Sequence, residues 1–103
     1  MIRIFSEQDR LDTFEYILSA ACACDNIISF VQVGSGAIGY HDARSDLDFV
    51  IAMDSNDSML TVMDYIHQKI AEKYEIIYFK QVETRHLQVY LLSNLLEIDI
   101  GSP

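Results

Sequence analysis

The sequence predicts one α/β or α+β domain, with a mixed β-sheet of about five strands and helices packed on it. Two segments repeat apolar residues at helical spacing, and short β-rich segments alternate with them. The chain has 103 residues, 50% of them hydrophobic, and one proline, which suits a single compact core. Residues 1–103 contain no linker, repeat or low-complexity stretch, so we expect one domain.

The first helix is expected over residues 7–24. Ser6 is a suitable N-cap, and acidic residues follow it in the first turn, where the helix dipole favours them. The predicted apolar face consists of Leu11, Phe14, Leu18, Ala21 and Cys22. Cys22 and Cys24 are two positions apart and face different sides of a helix, which favours two small buried residues over a disulfide or metal pair.

The other elements follow from the same periodicities. The strand at 27–33 is expected to be buried on both faces, because it is short and rich in β-branched and aromatic residues. A glycine-rich turn with a short helix near Gly36 is expected next, followed by a strand at 47–53. A helix is predicted at 59–74, and its apolar face consists of Met59, Met63, Ile66, Ile70 and Tyr74. The chain should end in a hairpin of strands 75–82 and 86–92 around turn 83–85, a turn at Asn94, and a strand at 95–100.

Charge and hydropathy exclude some classes of function. The formal net charge is −9, so the chain would repel a phosphate backbone; a nucleic-acid partner is disfavoured and a cationic acceptor would suit it. No apolar run is long enough to span a membrane, and no basic segment precedes an apolar one as in a signal peptide. We therefore expect a cytoplasmic protein.

Four carboxylates occupy two of the predicted strands. Strand side chains alternate between faces, so Asp46 and Asp48 share one side of the first strand, and Glu97 and Asp99 share one side of the last. Like charges this close are costly unless a cation lies among them. Hard oxygen ligands select Mg²⁺ or Mn²⁺, and two such ions can activate an attacking oxygen and stabilise a leaving one.

A glycine-rich turn precedes the first acidic pair. Gly34 allows close approach of the backbone to a ligand, and successive free N–H groups form a cradle for anions. Ser35 adds a hydroxyl donor, and a short helix starting there would direct its positive end at the same phosphates. The sequence therefore predicts a phosphate site next to a metal site.

The run Val33-Gly34-Ser35, ten residues, then Asp46-Leu47-Asp48-Phe49, with Ile98-Asp99-Ile100 later, resembles the signature of polymerase beta–like nucleotidyltransferases. The resemblance covers residues 27–100 and implies a palm-like nucleotidyltransferase fold. The amino-acid sequence of the motif is most similar to that of small bacterial members, including those that modify antibiotics. It implies that Gly34 and Ser35 bind the triphosphate, that Arg44 contacts a phosphate, and that Asp46 and Asp48 bind metals. It also implies that Asp99 binds the metal at the acceptor oxygen or deprotonates that oxygen, and Glu97 is an alternative third ligand.

The resemblance implies an enzyme that transfers a nucleoside monophosphate to a hydroxyl of a small molecule or protein, with Mg²⁺ or Mn²⁺. The donor is expected to be ATP, which would supply AMP, or another nucleoside triphosphate. A second hypothesis is an antitoxin-type or non-catalytic nucleotide-binding partner of a helical protein. A third, an Asp-x-Asp glycosyltransferase or simple divalent-ion binder, leaves Gly34 and Ser35 unexplained. Few residues follow Asp99 to form an acceptor pocket, so we expect the N-terminal part of a longer protein. A homodimer or a helical partner domain is also expected as a partner.

Overall fold

The computed structural model describes residues 4–33, 46–82 and 87–102, apart from the side chain of Asn56. The predicted fold class is confirmed: a mixed five-stranded sheet carries two helices. The elements are α1 (Glu7–Cys22), β1 (Ile27–Val33), β2 (Leu47–Met53), a 3₁₀ turn (Asn56–Ser58), α2 (Met59–Lys73), β3 (Ile76–Val82), β4 (Leu87–Leu92) and β5 (Glu97–Gly101). The predicted short helix near Gly36 and the hairpin turn 83–85 lie outside the described residues.

The sheet places two parallel strands at its centre. The strand order is β1-β2-β5-β4-β3. β2 and β5 run parallel, whereas the other neighbouring pairs are antiparallel. The pairing of β3 with β4 confirms the predicted hairpin. β2 and β5 are therefore held from both sides, and the side chains on them have fixed positions.

The start of α1 is fixed by its cap. The Ser6 hydroxyl accepts a hydrogen bond from the backbone N–H of Asp9 at 3.0 Å, and the Asp9 carboxylate accepts one from the N–H of Ser6 at 2.9 Å. This reciprocal pair satisfies two donors that the helix leaves unpaired, and it confirms the predicted N-cap. α1 ends at Cys22, two residues before the predicted end.

The buried stripe of α1 differs from the predicted one. Leu11 is 47% exposed and Cys22 is exposed, so the prediction is wrong for these two residues. Ala21 is buried as predicted, and Phe14 and Cys24 are partly buried against the core. The residues that are buried are Arg10, Thr13, Ile17, Ala20 and Ala21. They have the same helical spacing as the predicted face but are rotated around the axis. The helix contains apolar residues on both candidate faces, and docking on the sheet selects one of them.

β1 is an edge strand, so the prediction that it is buried on both faces is wrong. It pairs only with β2 among the described strands, and Ile28 and Val31 are 69% and 48% exposed. A run of apolar residues in a short strand does not distinguish a central position from an edge position.

The core lies between one face of the sheet and the two helices. It contains Leu47, Phe49 and Ile51 from β2, together with residues of β4 and β5. α2 contributes Val62, Met63, Ile66 and Ile70, with Met59 and Tyr74 packed at the margin, so its predicted face is confirmed. Among the described residues, neither helix has the length and apolar character needed to cross a membrane.

Candidate active site

The four predicted carboxylates lie together on the sheet face opposite the helices. In the parallel pair, Asp48 of β2 lies opposite Asp99 of β5. The preceding pair in register is Leu47 with Ile98, both buried in the core, so the alternation directs Asp48 and Asp99 to the other face. Asp46 lies two residues before Asp48, and Glu97 lies two residues before Asp99. We call these four residues the carboxylate array.

Local sequence explains why β5 presents its acids on this face. Asn94 forms the predicted turn, and its side-chain oxygen accepts a hydrogen bond from the N–H of Leu96 at 3.1 Å. Leu95 has a φ of 71°, in the left-handed region, and the chain turns there before the strand begins. β5 therefore starts at Glu97, two residues later than predicted, and Leu96 and Ile98 are fully buried.

Electrostatics within the array show that the acids affect one another. Burial, followed by hydrogen bonding to Asp48 and the charge of Glu97, raises the pKa of Asp99 to about 8. Burial, followed by the charges of Glu97 and Asp48, raises the pKa of Asp46 to about 6. At neutral pH the array therefore holds protons that isolated carboxylates would release.

One oxygen of the array has no partner. Oδ1 of Asp99 is buried and makes no hydrogen bond within the part of the chain that the structure describes. A buried, unsatisfied carboxylate oxygen is unfavourable, and an ion or ligand that binds to it would remove the cost.

The donor set fits Mg²⁺ or Mn²⁺ by its chemistry, because all four side chains offer hard oxygen atoms. It is not a preformed coordination shell. Across residues 4–33, 46–82 and 87–102, no three or more His, Cys, Asp or Glu side chains are arranged to hold a metal ion. In the absence of a cation, shared protons and mutual hydrogen bonds relieve the repulsion, and the oxygens need not converge on one point.

The predicted phosphate-binding residues Gly34, Ser35 and Arg44 lie outside the described residues. The positions where the chain leaves and rejoins the described sheet are nevertheless informative. Val33, the last residue of β1, lies opposite Asp48, and the chain resumes at Asp46. Both ends of segment 34–45 therefore adjoin the carboxylate array.

A polar network behind the array was missed by sequence reasoning. The Tyr90 hydroxyl, fully buried, donates to Oε1 of buried Gln88 at 3.0 Å and lies 3.0 Å from Nδ1 of His67 on α2. Burial, and secondarily the charge of Asp64, raises the pKa of Tyr90. The network could have been predicted from the alternating sequence Leu-Gln-Val-Tyr-Leu-Leu of β4, because alternation places Gln88 and Tyr90 together on the core face.

A cleft of about 490 Å³ lies elsewhere on the molecule. Asp9, Asp12, Glu15, Tyr16, Lys73 and Asn94 are among its lining residues. None of the four residues of the carboxylate array lines it, so the cleft is separate from the candidate site.

Two solved structures share this architecture. A poly(A) polymerase complex, GLD-2 with GLD-3, matches with a TM-score of 0.64 at 14% identity, covering 98% of this chain and 36% of that one. A cytoplasmic RNA terminal U-transferase matches with a TM-score of 0.61 at 21% identity, covering 98% of this chain and 32% of that one. No protein-family model and no curated protein matches.

These neighbours define the class of fold. The chain has the nucleotidyltransferase fold, in agreement with the fold that the sequence motif implied. It spans about a third of the length of either neighbour. The small bacterial subtype stays a prediction, as does the expectation of a longer protein.

Proposed function

We propose that the chain is the catalytic domain of a nucleotidyltransferase that moves AMP from ATP to an acceptor hydroxyl, acting in the cytoplasm. The observation that supports this best is the pairing of Asp48 with Asp99 on the two central strands, on a face that the helices leave open. The described ends of segment 34–45, which contains Gly34 and Ser35, adjoin these acids, and this supports a triphosphate-binding role for the segment.

In this mechanism Asp46 and Asp48 hold the triphosphate end of the donor through bound Mg²⁺ or Mn²⁺, and Asp99 acts at the acceptor. Mg²⁺ or Mn²⁺ held by these carboxylates would neutralise phosphate charge and stabilise the leaving group. The acceptor oxygen forms a bond to the α-phosphorus, and the bond to the bridging oxygen breaks and releases pyrophosphate. The hydroxyl proton passes to the deprotonated form of Asp99, whose Oδ1 is buried and has no hydrogen-bond partner within the described residues. Because the pKa of Asp99 is about 8 without a cation, this step would require the charge of a bound cation to favour the carboxylate. Gly34, Ser35 and Arg44 hold the phosphates, and Glu97 supports Asp46 and Asp99.

The acceptor is a small molecule or protein with a hydroxyl group. The net charge of −9 supports a neutral or cationic acceptor, because an acidic chain repels the phosphate backbone of a nucleic acid. RNA is the second candidate, since the two structural neighbours are named as a poly(A) polymerase and an RNA terminal U-transferase. The non-catalytic hypothesis is less well supported, because it gives no reason for four acids gathered near an Asp99 oxygen that is buried and unsatisfied among the described residues.

Transfer from labelled ATP tests the proposal directly. The chain, with Mg²⁺, is incubated with amino-hydroxyl small molecules, a protein mixture and a short RNA in separate reactions, alone and with a helical partner or longer chain. We expect label on a small molecule or protein, and loss of it in Asp48→Asn. Asp57→Asn, which removes an exposed charge from the 3₁₀ turn, is the matched control and should retain activity. Label on RNA alone would replace the first acceptor with the second.

Measurements of nucleotide binding distinguish the enzyme hypothesis from the hypothesis of a non-catalytic partner. Gly34→Val should abolish Mg-dependent ATP binding in calorimetry, because a branched side chain would block the backbone's approach to phosphate. A folded variant that binds Mg-ATP like the parent would remove the cradle from the mechanism. ATP binding without transfer to any acceptor would favour the non-catalytic partner.

A further inference from the structure

β3 forms an exposed and unusually apolar edge of the sheet. It pairs only with β4 among the described strands. Ile77, Tyr78 and Phe79 are consecutive and are 52%, 54% and 37% exposed. Single exposed hydrophobic residues are ordinary, but a run of them along an open edge exposes both apolar side chains and unpaired backbone groups.

We propose that β3 is a dimerisation edge, along which β3 of one copy pairs antiparallel with β3 of a second copy. Another strand is the partner that satisfies the free N–H and C=O groups of an edge. An identical strand related by a two-fold axis gives a self-complementary interface that closes after two copies. The two five-stranded sheets would then form one continuous sheet.

The sequence of β3 favours one register. Pairing of all seven residues is centred on Phe79, which then lies opposite its own counterpart. Tyr78 lies opposite Lys80 of the second copy, and Lys80 is the only charged residue in the strand. An ammonium group beside a tyrosine ring is favourable, whereas a register centred on Lys80 would oppose two like charges. The bulge between Ile76 and Tyr78 adds twist, so close pairing is concentrated on residues 78–80.

The other edge strand is less suitable. The exposed apolar residues of β1, Ile28 and Val31, are not adjacent, and its end at Val33 lies opposite Asp48 in the candidate active site. β3 is separated from β5 by β4 and leaves that site open. Its one charge is positive in a chain of net charge −9, so the strand itself adds no negative charge to an interface between two copies.

A single strand pair buries less surface than a standard interface, so we expect a weak dimer that salt strengthens by screening the net charge. Sedimentation of the full chain, from about 10 µM to about 500 µM, should show concentration-dependent dimers. Tyr78→Lys should weaken dimerisation at least tenfold, because the new lysine of each copy would lie opposite Lys80 of the other copy. The double variant Tyr78→Lys with Lys80→Glu should restore it by opposing Lys with Glu.

Val31→Lys on β1 is the matched control, because it adds the same charge at an exposed position of the other edge. It should dimerise like the parent, and circular dichroism should show that all variants are folded. A parent that stays monomeric throughout the series would overturn the proposal. A Val31→Lys variant as impaired as Tyr78→Lys would also overturn it, and a failed rescue by Lys80→Glu would reject the register.

Discussion

The two faces of β2 and β5 differ completely in chemistry, although the same residues alternate between them. One face presents Leu47, Phe49 and Ile98 to the helices, and these side chains are nearly or fully buried. The other presents Asp48 and Asp99, and burial together with the neighbouring acids raises the pKa of Asp99 to about 8. A shift of one residue would exchange the two sets, so one register positions both the core and the site.

This comparison shows how a costly site can be maintained. The apolar face fixes the backbone, and the backbone then forces the acids together on the open face. Stability and function are therefore assigned to different faces of the same strands. Substitutions on the apolar face should unfold the protein, whereas substitutions on the acidic face should preserve or improve stability while removing function.

The largest expected effect is on the apolar face. Phe49 is 2% exposed, and its ring lies 4.6 Å from that of Phe30 and 5.7 Å from that of Phe14. Phe49→Ala should lower the free energy of unfolding by about 3–5 kcal/mol, because it removes a large side chain and leaves a cavity. Urea denaturation followed by circular dichroism measures this loss. A loss below about 1 kcal/mol would mean that the two faces do not differ as described.

The corresponding change on the acidic face should have the opposite character. Asp48→Asn keeps the side-chain shape and removes one charge from the array, so stability without metal should equal or exceed that of the parent. Mn²⁺-dependent binding of ATP should fall by about two orders of magnitude, since a carboxylate ligand is lost. Calorimetry measures the binding and urea denaturation the stability. Parental metal-dependent binding in this variant would show that the array is not the metal site.

A smaller effect is expected in the polar network behind the site. Tyr90→Phe removes the hydroxyl that joins Gln88 to His67 and leaves the buried Gln88 oxygen unsatisfied. The expected cost is about 1–3 kcal/mol in the free energy of unfolding. Tyr65→Phe is a useful control: the Tyr65 hydroxyl donates to the backbone oxygen of Ala20 at 2.8 Å, but Tyr65 is only half-buried. If the control costs more than Tyr90→Phe, the buried network is not a main contributor.

The sequence was sufficient to predict the sheet, the two helices and the shared face of the acids. These features follow from alternation and capping, which are local. It did not predict which side of α1 would be buried, nor that β1 is an edge strand, because both depend on which partner a segment meets. The mutual effects of Asp46, Glu97 and Asp99 also required the β2–β5 register, which joins segments about fifty residues apart.

The pH dependence of stability gives the finest test of the acidic face. The pKa values of Asp99 and Asp46 are raised in the folded chain, to about 8 and about 6, above their ordinary value of 3.8. Between the ordinary pKa of 3.8 and the raised pKa of each group, the folded state binds more protons than the unfolded state. The free energy of unfolding therefore falls as pH rises through this range. The stabilising contribution is complete below about pH 4 and is lost as pH passes through about 8.

The difference between the parent and Asp99→Asn isolates this contribution, because other titrating groups cancel. Without metal, the parent should lose on the order of 1–2 kcal/mol more than the variant between pH 5 and pH 8.5, after allowance for solvent around half-buried groups. Saturating Mg²⁺ at pH 8.5 should return that stability to the parent but not to Asp99→Asn, because the cation replaces the protons that the array has released. Urea denaturation at each pH, with EDTA or Mg²⁺, measures all four conditions. If the free energy of unfolding changes equally with pH in the two proteins, Asp99 titrates normally and the acids do not destabilise the folded state by repulsion.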